Sequence, residues 1–245
     1  MKLEAHSRGE LVTRFLTEKV GGSLQTEAFA GDIVANDLMK GIGGFSLVCG
    51  KVGEPLAVIS NRTPDIDSVE WILGEKTATI GLSNALITDR TWTKVTKAER
   101  LLEEIIARDS ASCQPTGSLV DDLFGILSDD TLPCLKEGQD WASQVKELRN
   151  SIFIPAVGGG SMSTQSAQDV AAAKTSNKVS LESPKAETIP LNRMSERYGT
   201  QKQTIVLVTK DKRLIFIERT LFDVKGQRVS SSTDNDQKFE FQVDM

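Results

Sequence analysis

The stretch that decides the fold lies near the end of the chain, where residues 203–218 read QTIVLVTKDKRLIFIE. Two apolar runs, 205–208 and 214–217, flank a polar segment, and this pattern predicts a hairpin of two strands. Apolar and polar residues then alternate over 239–243, which predicts a third antiparallel strand. Because the two hairpin runs are apolar at every position, we expect both faces of this sheet to be covered.

The first half of the chain predicts helices and a second hairpin. Ser7 and Glu10 have the spacing of a capping box, in which the two residues satisfy each other's free amide hydrogens at a helix start. Short apolar runs at 44–49 and 56–60 predict a hairpin, and we expect a third strand at 77–82. Apolar residues at helical spacing predict further helices over 29–41, 92–108 and 119–127. Helices and hairpins in separate blocks favour an α+β fold with two sheets between helices.

One segment differs in composition from the rest of the chain. Residues 156–185 are rich in Gly, Ser, Thr, Gln, Ala and Lys and contain few large apolar residues. Such a segment cannot offset its ordering entropy by burial. We therefore predict a single domain over residues 1–245 that contains a disordered insert at 156–185.

Composition excludes several classes of protein. Lys and Arg total 29 against 34 Asp and Glu, a net charge of −5, and no basic cluster is present, which argues against nucleic acid as a partner. No apolar run approaches the roughly 18–20 residues of a membrane span, so no transmembrane segment is predicted. The single histidine, His6, and three cysteines without a C-x-x-C pair give no metal site, and no cofactor is predicted.

Polar residues lie at the ends of three of the predicted strands. These polar segments are SNR at 60–62, GLSN at 81–84 and YGTQ at 198–201. Asparagine amides and an arginine guanidinium at strand ends would bind a carbonyl oxygen or a carboxylate. The candidate ligand-binding residues are Asn61, Arg62, Ser83 and Asn84. In the alternative interpretation, Asn61 and Asn84 only supply turn geometry and Arg62 pairs with a carboxylate of the protein.

Six short motifs together indicate a family. In chain order they are SRGELVT (7–13), GFSL (44–47), SNR (60–62), GLSNAL (81–86), RYGTQKQT (197–204) and FIERT (216–220). Each motif is weak alone. In this order they resemble the transport and Golgi organisation protein 2 family, also called the NRDE family, in its fungal form.

The resemblance implies the fold of N-terminal-nucleophile hydrolases, a four-layer αββα sandwich. In such enzymes an N-terminal Cys, Ser or Thr attacks an amide, and its own α-amino group acts as the base. Family members typically begin Met-Cys and carry an Asn-Arg-Asp-Glu segment, whereas this sequence begins Met1-Lys2 and contains no such tetrapeptide. We therefore expect an N-terminally incomplete sandwich that lacks this hydrolase activity, with marginal stability or association through an unpaired sheet edge.

The functional implication of the resemblance is cellular: Golgi organisation and protein secretion, with links to haem and lipid homeostasis. Three hypotheses stay open at this point. The chain is a non-catalytic family member, or an amide hydrolase whose nucleophile is lost through truncation of the chain start, or a carrier of haem, lipid or acyl-CoA. The implied location is cytoplasmic with peripheral association with the Golgi, and mitochondria are the alternative.

Overall fold

The computed structural model describes residues 7–17, 26–35, 42, 44–72, 78–112, 115–133, 141–156, 198–224, 226–229 and 236–243. The helices in these ranges are α1 (Arg8–Thr17), α2 (Thr26–Ala35), α3 (Thr93–Ser112), α4 (Thr116–Leu127) and α5 (Trp141–Glu147). The strands are β1 (Ser46–Cys49), β2 (Leu56–Ser60), β3 (Glu70–Ile72), β4 (Lys202–Val208), β5 (Arg213–Thr220) and β6 (Gln237–Gln242). They form two antiparallel sheets of three strands each, in the orders β1-β2-β3 and β4-β5-β6.

The first sheet contains the hairpin predicted from the apolar runs at 44–49 and 56–60. Strand β1 pairs with β2 so that Ser46 faces Ser60 and Cys49 faces Ala57. One face of the sheet packs on α1 and α2 in a buried cluster formed by Leu11, Phe29, Ala30, Ile33, Ile42, Cys49, Ala57, Ile59 and Val69. We call this set the first core cluster. Burial of these side chains supplies the main driving force for this half of the fold.

The third strand of this sheet does not lie where the sequence pattern put it. Strand β3 is the short segment Glu70–Ile72, paired with β2, and the prediction of a strand at 77–82 is wrong for residues 78–82. Instead of joining a strand ladder, the Gly81 amide donates a hydrogen bond to Glu99 Oε1 at 2.7 Å. Residue 77 lies outside the described ranges.

The second sheet confirms the three antiparallel strands predicted at the end of the chain. Ile205 pairs with Ile217 across β4 and β5, and Phe216 pairs with Phe239 across β5 and β6. The inner face packs on α4, where Phe124, Ile205, Ile215 and Ile217 are buried together as the second core cluster. Helix α4 in turn contacts α3, with Arg108 Nη2 lying 2.5 Å from Asp122 Oδ2.

The prediction that both faces of this sheet are covered is wrong. The face away from α4 carries six apolar side chains, which we call the outer face: Val206, Val208, Leu214, Phe216, Phe239 and Phe241. Val206 is 54% exposed and Phe241 is 56% exposed. A run that is apolar at every position therefore buries one face here and leaves the other accessible.

The helix predictions and the mixed α+β class are confirmed. Helix α1 follows Ser7, whose Oγ accepts a hydrogen bond from the Glu10 amide at 3.3 Å, as a capping box requires. Helices α3 and α4 cover the predicted segments 92–108 and 119–127 to within a few residues. Helix α2 ends at Ala35, earlier than predicted, and residues 36–41 lie outside the described ranges. The predicted insert also lies outside them apart from Ala156, and the four-layer sandwich stays a prediction.

Candidate functional site

A cleft lies at the end of the first sheet where β1 begins and β2 ends. Its walls are formed by Gly44, Phe45, Ser46, Ser60, Asn61, Arg62, Asn84, Ala85 and Leu86. Three of the four predicted ligand-binding residues, Asn61, Arg62 and Asn84, are therefore brought together from separate segments of the chain. Ser83 is next to the cleft in sequence and is absent from its walls.

One wall of the cleft is the tight turn at residues 60–63, where β2 ends, and side-chain hydrogen bonds hold this turn. The Thr63 amide donates to Ser60 O at 3.0 Å, and the Arg62 amide donates to Ser60 Oγ at 3.1 Å. Asn61 Oδ1 accepts a hydrogen bond from the Phe45 amide at 3.4 Å, which ties the turn to the segment before β1. Asn61 thus supports the turn, as the alternative interpretation predicts, through its side-chain oxygen Oδ1. Its amide nitrogen has no partner among the described residues and can donate to a ligand.

The opposite wall belongs to the loop 78–91, which α3 holds in place. Within the loop, the Ala85 amide donates to Ser83 O at 2.7 Å and the Asp89 amide donates to Leu86 O at 2.9 Å. Glu99, buried on α3, accepts the Gly81 amide and a hydrogen bond from Arg90 Nη1 at 2.8 Å. One carboxylate of α3 therefore anchors both ends of the loop that carries Asn84.

The cleft wall carries one charged side chain, that of Arg62. No carboxylate lies within 4.0 Å of the Arg62 guanidinium in the part of the chain that the structure describes. The nearby Asp89 accepts hydrogen bonds from Thr91 Oγ1 at 2.6 Å and from the Thr91 amide at 2.9 Å. These bonds chiefly hold the pKa of the Asp89 carboxyl below its usual range, and the charges of Arg149 and Arg62 add to the effect. Because Arg62 is the charged residue of the cleft wall, the cleft attracts an anion.

The groups in the cleft wall suit binding better than proton transfer. They are one guanidinium, two side-chain amides and two serine hydroxyls beside the apolar Phe45 and Leu86. The wall contains no carboxylate, thiol or imidazole, the groups that most often act as general acids and bases. The cleft is small, shallow and open to solvent.

The third predicted polar segment, YGTQ at 198–201, does not contribute to the cleft. The Thr200 amide donates to Ile154 O at 2.8 Å, and Thr200 Oγ1 accepts the Ile154 amide at 3.0 Å. A Cβ at Gly199 would lie 3.0 Å from Ile154 O, so this position has room only for glycine. The segment therefore joins residues 151–156 to the start of β4. Sequence reasoning also missed Glu99 and Arg90, which resemble ordinary surface charges of a helix and a loop.

The fold and the cleft together define an α+β protein with a shallow cleft at the end of a hairpin, whose wall carries one arginine. The family model described as Transport and Golgi organisation 2 matches residues 1–223, and the chain belongs to this family. The family assignment made from the short motifs is thereby confirmed, and it gives the protein a role related to transport and the Golgi at the level of the family. The comparison with curated proteins gave no match.

Two further points bear on the functional hypotheses. Among the described helices, none combines the length and the apolar character needed to cross a bilayer. The hydrolase alternative depends on the first residues of the chain, and residues 1–6 lie outside the described ranges.

Proposed function

We propose that the protein is a non-catalytic member of the Transport and Golgi organisation 2 family that acts in Golgi organisation and protein secretion by holding a small ligand with an anionic end. The observation that carries this proposal is the meeting of Asn61, Arg62 and Asn84 in one cleft. A guanidinium and two amides offer several donors to one group of oxygen atoms, as carboxylate binding requires.

The apolar part of the cleft narrows the class of ligand. Phe45 and Leu86 stand beside the polar groups, and Leu86 is 48% exposed. A carboxylate attached to an apolar body fits this arrangement, because the carboxylate meets Arg62 while the apolar body covers Leu86. Fatty acids and haem both have this chemistry, which supports a role in lipid or haem homeostasis. Acyl-CoA would instead present phosphate oxygens to the same guanidinium.

A binding assay with esterified controls tests the proposal. Palmitate and haem are titrated into the protein, each beside its methyl ester, which keeps the apolar body and removes the anionic end. We expect one acid to bind and its ester to bind at least about 10-fold more weakly. Arg62→Ala should weaken binding of that acid by about 10- to 100-fold, because a hydrogen bond to a charged group contributes about 1.5–3 kcal/mol.

The matched control is Arg100→Ala, which removes an exposed arginine of α3 that pairs with Glu104 away from the cleft. This variant should bind like the wild type. If Arg62→Ala and wild type bind with equal affinity, Arg62 does not contact the ligand. If the acid and its ester bind with equal affinity, the anionic end of the ligand does not contribute to binding. Imaging of the tagged protein in cells tests the proposed role in Golgi organisation. We expect the wild type at the Golgi and a changed localisation for Arg62→Ala.

A further inference from the structure

The outer face of the second sheet is an apolar surface without a covering layer in the described structure. Val206, Val208, Phe239 and Phe241 are between 44% and 56% exposed. The aromatic rings are ordered against one another, with Phe216 and Phe239 centroids 6.1 Å apart and Phe239 and Phe241 centroids 6.5 Å apart. Contiguous apolar patches of this kind mark interaction surfaces rather than ordinary surface variation.

The register of the strands arranges the outer face in two rows. One row runs Val206, Phe216, Phe239 and the other runs Val208, Leu214, Phe241. The patch ends at the next row, which contains Glu218; its Oε1 lies 2.5 Å from Nζ of Lys202, one row further along the same face. The two rows carry no charge, so a partner can cover them without stripping water from an ion.

The shape of the face is complementary to itself. Each row begins with a valine on β4 and ends with a phenylalanine on β6, with β5 between them. A two-fold axis parallel to β5 brings β4 of one copy over β6 of the other, so each small side chain meets a large ring. Alternation of small and large residues across an interface gives the dense packing that sheet-on-sheet cores need. We infer that a second copy of this chain covers the outer face, giving a two-fold, face-to-face dimer.

The area of the face indicates a weak dimer. A half-exposed phenylalanine leaves about 100 Å² accessible, because an aromatic side chain offers about 150–250 Å² in total. With the valines, the outer face offers about 400 Å² per copy, so the dimer buries about 800 Å². This total is below the roughly 1,200–2,000 Å² of stable interfaces and in the size range of weak, transient ones, so we expect a dissociation constant of about 100 μM.

Sedimentation velocity over about 1–500 μM protein, a range that spans the expected dissociation constant, tests the dimer. Wild type should shift from monomer to dimer, whereas Val206→Lys and Phe241→Lys should remain monomeric, because each places an ammonium group inside the interface. Both positions are exposed, so the variants keep the core, and unchanged melting temperatures verify this. The control is Leu16→Lys, on α1, where the side chain is 75% exposed and far from the sheet in sequence; it should dimerise like the wild type.

Cross-linking tests the direction of the axis. Val206→Cys and Phe239→Cys are prepared separately with Cys113→Ser and Cys134→Ser, and treated with a short bismaleimide that spans the roughly 10 Å between packed sheets. The mixture of the two variants should cross-link faster than either variant alone, since the axis along β5 places these positions opposite each other.

Three results would overturn the inference. The first is a monomer at every concentration, including one that binds phosphatidylcholine vesicles through the same residues. The second is a dimer that Phe241→Lys leaves intact, because it would use another surface. The third is equal cross-linking of mixed and unmixed cysteine variants, which excludes the two-fold axis along β5. The dimer surface and the cleft lie on different sheets, so this experiment and the ligand titration succeed or fail separately.

Discussion

At the scale of single residues, Gly81 shows how closely the cleft loop packs on α3. A Cβ at this position would lie 2.9 Å from Val95 Cγ1 and 3.2 Å from Val95 O. A side-chain methyl group can rotate away, but the carbonyl oxygen belongs to the backbone of α3 and cannot move alone. The absence of a side chain at Gly81 is therefore a packing requirement, and its amide is needed by Glu99.

Gly81→Ala should destabilise the protein by about 1–3 kcal/mol, the usual cost of overpacking a close contact. Because the loop carries Asn84, binding of the palmitate or haem probe should weaken as well. Urea unfolding at equilibrium measures the free energy. Gly125→Ala in α4 is the control: a Cβ there meets no atom within 4 Å, so it should be neutral or stabilising by about 0.5–1 kcal/mol. Equal effects of the two substitutions would contradict the packing argument.

At the scale of elements, α3 is the support of the cleft, and Glu99 is the residue through which it acts. The hydrogen bond from Arg90 chiefly lowers the pKa of the Glu99 carboxyl, and the Gly81 amide adds to the effect. A carboxyl whose pKa is lower in the folded than in the unfolded protein stabilises the fold above its unfolded pKa, about 4.3. This contribution is lost as the pH falls through the folded value.

Glu99→Gln should therefore lower the free energy of unfolding by about 1–3 kcal/mol at pH 7, and the difference from wild type should shrink below about pH 4. Urea unfolding at pH 7, 5, 4 and 3.5 measures it. Glu104→Gln, which removes one partner of an exposed pair on the same helix, should change the free energy by less than about 0.5 kcal/mol. A Glu99→Gln difference that stays constant from pH 7 to 3.5 would show that the charge of Glu99 does not matter.

The elements also show how far the sequence could predict the fold. Hairpins and helices with clear apolar periods were found, because their period is imposed by the burial of one face. Glu70–Ile72 is too short to show a period in the sequence. The predicted strand at 77–82 does not form over 78–82, where the Gly81 amide donates to Glu99 of α3 instead of joining a ladder. The exposed outer face could not be foreseen, since an apolar run does not tell which face finds a partner.

At the scale of the whole molecule, the described residues contain two separate buried clusters, one for each sheet. Cys49 belongs to the first core cluster, and burial raises the pKa of its thiol to about 11. Thiolate is the reactive form of cysteine, so a thiol in this state is protected from reagents until the cluster opens.

Labelling of Cys49 by iodoacetamide should therefore be slow in the native protein at pH 8 and should accelerate with urea along the unfolding curve. Peptide mass spectrometry follows this residue separately from the other cysteines. Phe29→Ala, which removes a buried ring of the same cluster, should lower the free energy of unfolding by about 3–5 kcal/mol. Rapid labelling of Cys49 should then begin at a lower urea concentration. Fast labelling of the native wild type would contradict burial of Cys49.

The cleft was partly predictable for a reason that concerns the whole chain. Asn61 and Arg62 follow strand β2, as predicted, whereas Asn84 reaches the cleft from the loop 78–91, because the strand predicted before it does not form. Ser83 and the segment at 198–201 also lie at the ends of predicted strands but serve the loop and the start of β4 instead. Tertiary packing decides which of several similar polar segments come together, and the local sequence pattern does not show the outcome.

Helix α3 has a consequence for the two proposed binding events. Glu99, which holds the cleft loop, and Arg108, which meets Asp122 of α4 behind the second sheet, are nine residues apart on this helix, about 13 Å at 1.5 Å per residue. A single rigid helix thus lies between the ligand cleft and the dimer face. Thermodynamic linkage makes any communication along it reciprocal: whatever factor ligand adds to self-association, self-association adds to ligand affinity. Ligand affinity measured at several protein concentrations gives this coupling free energy directly.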